Sequence, residues 1–274
     1  RFFKSPDANN LLVVQRCEER LRRMRCRFVP DERIPKGDET NRLPRSAYHN
    51  YRDMFNARQL IGLELSARFI SKVKDDRVRN ALATNLSDLL RYQNLCCRYD
   101  TMALKSLDVF SVHGFPVSLI QCESNLLGIA NGGAVNVGSG GWSNIIAKYA
   151  KAKEYCDHPF ETVGRGTRKQ VIKTDTEWIG DRRNGTVERR IDIHCADASE
   201  CNLRENTVDA VVTDPPYFGN VQYAELMDFC YVWLRKVVGD GDRVFEKEST
   251  RNRAELTGNI TEKRGLDHFA EGLS

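Results

Sequence analysis

Asp214-Pro215-Pro216-Tyr217 places a carboxylate, two imino acids and a phenol ring side by side. A proline at 215 keeps the residue before it out of the helical region. Two successive prolines fix two φ angles and remove two backbone donors. The segment therefore offers acceptors, the Asp214 carboxylate and the Pro215 carbonyl. Set against the two hydrogens of an exocyclic amino group, as on adenine or cytosine, such a pair draws the nitrogen toward tetrahedral geometry. It also localises a lone pair otherwise delocalised into the ring. This is positioning with electrostatic stabilisation and needs no strong base. Tyr217 supplies an aromatic face for a base taken out of its stack, worth about 1–3 kcal/mol, and Phe218 stands ready to assist. A plainer reading of the same residues is a proline-rich turn ending a strand, with Tyr217 as packing.

Such a turn must be held by the elements on either side of it. Residues 208–213, Val-Asp-Ala-Val-Val-Thr, form a short apolar run suited to a buried parallel strand. Ligands in open α/β sheets bind beyond the carboxyl ends of strands. Behind the turn, residues 222–237 read as a helix with Leu226, Phe229, Cys230, Trp233, Leu234 and Val237 as a dense apolar face. Upstream, Val171-Ile172 and the segment from Val187 to Cys195 read as strands, with Asn184-Gly185 as a turn. The latter strand runs into Asp197, a second carboxylate at a strand end, which reads equally as an ordinary loop aspartate. Residues 239–264 read as a charged loop, and a last helix begins near Leu266.

The amino-terminal half has helical periodicity. A first helix is expected over 7–25, with Asp7 as its cap, an apolar stripe from Leu11 to Met24, and Arg20, Arg22, Arg23 and Arg25 at its far end. Those arginines read as a solvated face or as phosphate contacts. Residues 29–47, with Pro30, Pro35, Gly37 and Pro44, read as a loop. Helices follow over 56–73, with Leu60, Leu63, Leu65, Phe69 and Ile70 facing inward, and over 75–96; they form a helical hairpin. A shorter helix from Trp142 to Cys156 carries Lys148, Lys151 and Lys153. The glycines between, Gly132-Gly133 and Gly138 to Gly141, do not follow a convincing strand, so they read as a flexible connection rather than a cofactor loop. The expected architecture is α/β, with a mainly helical region over 1–160 and a partial catalytic core over 161–274.

Composition fits a soluble globular protein: 41% hydrophobic and 29% charged. The 42 basic and 38 acidic residues permit nucleic-acid binding without indicating it. No apolar run approaches a membrane span, and no signal peptide is evident, so a cytoplasmic location is expected. The chain starts at Arg1 rather than Met, which suggests a piece of a longer protein. Nine cysteines are scattered without a Cys-x-x-Cys pair. His194, Cys195 and Cys201 come nearest to a cluster, and ordinary thiols are expected rather than a metal site.

The stretch from Val208 to Arg235 resembles amino-methyltransferases acting on N6 of adenine or N4 of cytosine, whose hallmark is Asp-Pro-Pro-Tyr. It is most similar to the large prokaryotic adenine-specific DNA methylases described as containing a zinc ribbon. Tyr51 to Leu60 and Gly140 to Asn144 resemble the same group. The resemblance implies a partial Rossmann-like sheet, S-adenosylmethionine as cofactor and DNA as partner, in a restriction or defence setting. It implies Asp214, Pro215, Pro216 and Tyr217 as the catalytic motif, Asp197 and Asp214 near the cofactor, and Tyr217 with Phe218 against the target base. The Phe-x-Gly-x-Gly loop of that family is absent from these residues. Cytosine-N4 methylation uses the same turn. Enzymes acting on RNA or on protein glutamine usually carry Asn in place of Asp214. A non-catalytic DNA-binding fragment is the remaining alternative.

Overall fold

The computed structural model describes residues 5–274 apart from 118–120, 132–134, 138–139, 165, 167–168, 175–176, 180–186, 190, 195, 202 and 240–242. The chain forms two compact units, Arg1–Ile146 with Pro216–Ser274, and Ala147–Pro215. The compositional change near residue 160 falls inside the second.

Three helices of the first unit begin where Asx side chains cap them. In α1 (Ala8–Arg23), the Asp7 carboxylate accepts the Asn10 N–H at 2.9 Å and the Asn10 side chain accepts the Asp7 N–H at 3.1 Å. Asn56 and Gln59 make the same reciprocal pair at the start of α2 (Ala57–Ile70), and Asp75 caps α3 (Asp76–Leu90) through the Val78 N–H. The apolar stripe of α1 does not enter the core: Leu11, Leu12, Val13 and Val14 are exposed, and only Leu21 packs against it. On α2, Leu60, Leu63 and Ile70 are buried as expected, while Phe69 is 70% exposed. Helix α3 stops six residues before the expected Cys96. There Asn94 folds back, donating to the carbonyls of Leu90 and Arg91 and accepting the Cys96 N–H, so its side chain terminates the helix.

Helix α5 (Tyr223–Val238) packs on α3 and α2. Its Phe229 stacks on Phe55 with ring centroids 5.5 Å apart, and Trp233 meets Phe55 edge-on at 5.4 Å. Phe110 and Phe115 close the cluster around Phe229. Two hairpins not expected from periodicity lie in this unit: β1 (Arg98–Asp100) with β2 (Lys105–Leu107), and β3 (Ile129–Asn131) with β4 (Val135–Val137), both antiparallel. The loop expected over 29–47 contains a 3-10 helix at Thr40–Ser46. Helix α6 (Leu266–Leu273) ends the chain.

Helix α4 (Trp142–Asp157) runs into the second unit. There β5 (Phe160–Val163) pairs antiparallel with β6 (Gln170–Lys173), and β7 (Glu177–Ile179) pairs parallel with β8 (Val187–Arg189). The fold is thus mixed helix and small sheets, each sheet of two strands among the described residues. This agrees loosely with the expected α/β class, and no Rossmann-like sheet is shown among the described residues. Residues 208–213 are irregular, with Val211 78% and Val212 96% exposed. A parallel strand owes its stability to strands beside it and helices over both faces. No described strand pairs with this run, so its apolar side chains stay in solvent. The expected strand from Val187 to Cys195 is likewise confined to β8; residues 191–194 are irregular and exposed, and Cys195 lies outside the described residues. Among the described residues no helix is long and apolar enough to cross a membrane.

Candidate functional site

The Asp-Pro-Pro-Tyr segment is irregular rather than the expected turn, and a turn follows it at 218–220; Asp214 and Pro215 belong to the second unit and Pro216 and Tyr217 to the first. Asp214 and Pro215 are exposed, Pro216 is half-buried, and Tyr217 is 55% exposed. Phe218 is 43% exposed, and its ring lies 5.3 Å from that of Phe269. A Cβ on Gly258 would collide with the Phe218 ring, so that glycine is what lets the ring lie flat against the chain. Phe218 thus packs on Phe269 and remains partly exposed.

The chain beyond the Asp-Pro-Pro-Tyr segment is held by a dense polar network. Gly219 takes φ +67 within a tight turn, and Gln222 precedes α5. Gln222 donates to the Gly258 carbonyl at 2.6 Å and accepts from Asn259 at 2.9 Å. Glu225, in the first turn of α5, is buried among the backbone N–H groups of Asp38, Glu39 and Thr40 at 2.9–3.0 Å and the Asn259 amide at 2.7 Å. Gly37 must lack a side chain because a Cβ there would strike this carboxylate. One turn on, Asp228 accepts from the Thr250 N–H, the Ser249 and Thr250 hydroxyls and Arg251 Nε. Arg251 then donates to the Pro35 and Lys36 carbonyls.

Those two carboxylates were missed by sequence reasoning, as was Glu64 on α2. Burial alone would raise the Glu64 pKa. The backbone N–H groups of Arg27, Phe28 and Val29, together with Arg68, outweigh it and hold the carboxyl below its ordinary range. All three anions are saturated by donors and serve the scaffold. The available signal was a pair of acids three residues apart, Glu225 and Asp228, inside a helix otherwise apolar nearly all round.

Asp197 caps a short 3-10 turn, Ala198–Glu200. Its carboxylate accepts the Ser199 hydroxyl at 2.7 Å and the Ser199 N–H at 3.0 Å, and these bonds lower its pKa. It follows no strand, contrary to expectation. Of the glycine run, Gly132, Gly133, Gly138 and Ser139 lie outside the described residues. Gly140 and Gly141 form a packed corner rather than a flexible connection. Gly140 has φ +85 against the Tyr92 side chain, its carbonyl accepts from Gln93 at 2.7 Å, and Gly141 abuts the Gly128 backbone. Asp197 and Asp214 are both exposed, and neither ends a strand among the described residues. His194 and Cys201 are exposed, and no group of three potential metal ligands occurs among the described residues.

Comparison of the chain with models of protein families, with curated proteins and with solved structures finds no match.

Proposed function

We propose that the Asp214-Pro215-Pro216-Tyr217 segment grips the exocyclic amino group of a nucleic-acid base. On this reading the chain is part of an adenine-N6 DNA methyltransferase using S-adenosylmethionine. The observation that supports it is an exposed, donor-poor Asp-Pro-Pro segment followed by Tyr217, 55% exposed, shortly before a firmly anchored α5.

The Asp214 carboxylate accepts one hydrogen of the amino group and the Pro215 carbonyl accepts the other. Neither Pro215 nor Pro216 has an N–H to compete for these acceptors. The grip orients the nitrogen lone pair outward and stabilises the positive charge that grows on the nitrogen as it bonds. Tyr217 stacks on the base and offsets part of the cost of taking it out of the duplex. Glu225 and Asp228 are committed to the scaffold, whereas the Asp214 carboxylate is exposed, which supports it as the one that meets the base.

The reading is tested by incubating the protein, in its full reading frame, with DNA and methyl-labelled S-adenosylmethionine, then hydrolysing the DNA for mass analysis. N6-methyladenine is the expected product. N4-methylcytosine would move the same chemistry to the other base. Absence of both would overturn the reading.

A further inference from the structure

A cleft of about 1110 Å³ in the first unit is lined by Arg25, Arg27, Arg68, Lys72, Arg79 and Lys236 and by no carboxylate among the described residues. Four separate parts of the fold contribute these cations: the segment after α1, the end of α2, the start of α3 and the end of α5. Sequence reasoning named only Arg25 among them, because the others come together through tertiary packing.

Three helices, α1, α2 and α5, end at this cleft, and cations at helix carboxyl ends have an ordinary explanation in the macrodipole. The charge balance exceeds it. Each helix end supplies about half a negative charge, roughly −1.5 in all. Three carboxylates pair with the cluster from outside the lining: Glu64 with Arg68 at 2.6 Å, Asp76 with Arg79 at 2.9 Å, and Glu32 with Lys236 at 3.4 Å. Arg25, Arg27 and Lys72 are exposed and pair with no carboxylate among the described residues. Arg27 lies over the Phe28 ring at 5.4 Å, which leaves its guanidinium edge for an acceptor. Arg68 also lines a neighbouring groove with Arg16, Arg20 and Arg23 of α1, where Glu19 is the one carboxylate against four arginines, so the net positive surface continues along that helix.

We propose that this cleft and its extension along α1 bind the sugar-phosphate backbone of a nucleic-acid duplex. An extended band of arginines with room for an irregular polyanion suits phosphate recognition without base reading. The choice of nucleic acid among polyanions rests on the reading of the Asp214 segment above.

The test is fluorescence anisotropy of a labelled DNA duplex with the whole chain across a salt series of roughly 50–200 mM. Arg25→Ala with Lys72→Ala removes two exposed cations that make no ion pair to the scaffold. The slope of log affinity against log salt should flatten by about 2, with the thermal midpoint retained. Lys151→Ala with Lys153→Ala, in the second unit, should leave the slope as it was. An unchanged slope in the Arg25/Lys72 variant overturns the proposal. So does cleft-dependent binding of phosphatidylserine vesicles without cleft-dependent binding of the duplex, which would assign a lipid surface. Asp214→Ala separates the two readings. It should keep the wild-type slope whether or not methyl transfer is found, so failure of the methylation reading leaves the duplex measurement standing.

Discussion

Glu225 accepts the backbone N–H of Thr40 at 2.9 Å across 185 residues of sequence, joining the first turn of α5 to the 3-10 helix that starts at Thr40. With Asp38, Glu39 and Asn259 on the same carboxylate, one side chain ties the chain behind the Asp-Pro-Pro-Tyr segment to the amino-terminal part of its unit. Glu225→Ala leaves three backbone donors without their acceptor. It should cost about 3–5 kcal/mol, seen as a lower urea midpoint with an unchanged slope. A midpoint within error of the wild type would mean the carboxylate is dispensable.

Glu64 gives the fold a defined acid sensitivity. Its folded pKa lies below the ordinary value of 4.5, so the unfolded state binds the proton more readily. The stability it contributes is present above pH 4.5 and is lost as pH falls through the lower folded value. Urea titrations across that window should show this loss in the wild type and a flatter profile in Glu64→Gln.

Much of the helical half was legible in the sequence. Asp7, Asn56 and Asp75 announce their helices because an Asx cap is a local interaction, complete within four residues. The run 208–213 was misread for the opposite reason: an apolar stretch becomes a strand only beside a partner, and Val211 and Val212 have none in a described sheet. Glu225 and Asp228 were invisible as scaffold residues because their donors come from residues 38–40 and 249–251, far outside any periodicity. The packing of Phe218 was not legible because its neighbours, Gly258 and Phe269, are also distant in sequence. The acceptor character of Asp214-Pro215, by contrast, follows from covalent structure and could be read directly.

Gly140 should tolerate no side chain. At φ +85 an alanine pays about 1–2 kcal/mol of backbone strain, and its Cβ also collides with Tyr92. Gly140→Ala should lower the thermal midpoint by several degrees and loosen the corner at the start of α4, read as faster amide exchange at Trp142, whose N–H bonds the Leu126 carbonyl. Wild-type stability in that variant would show that the corner can move.

Thiol reactivity should divide by burial. Burial pushes the Cys96 and Cys97 thiols up to about 12 and Cys230 up to about 11, whereas Cys156 and Cys201 are exposed. A thiol reagent at neutral pH should modify Cys156 and Cys201 at once and reach the buried three only on unfolding. Fast labelling of Cys230 in the native protein would contradict the packing of α5 on α3.

Tyr217 and Phe218 should part company under mutation. Tyr217→Ala should change stability by about 0.5 kcal/mol or less while weakening capture of a base, followed as fluorescence of 2-aminopurine placed in the duplex. Phe218→Ala should lower stability by removing the contact with Phe269. The reverse pattern would make Phe218 the stacking residue.

The most direct measurement is single-turnover methyl transfer by Asp214→Ala and Asp214→Asn, in the full reading frame and beside the wild type, with duplex affinity and urea midpoint recorded on the same preparations. The account predicts a loss of about 10²–10³-fold in rate for the alanine variant, with duplex affinity unchanged, because the exposed carboxylate acts on the base directly. Near-wild-type turnover in Asp214→Ala would contradict it.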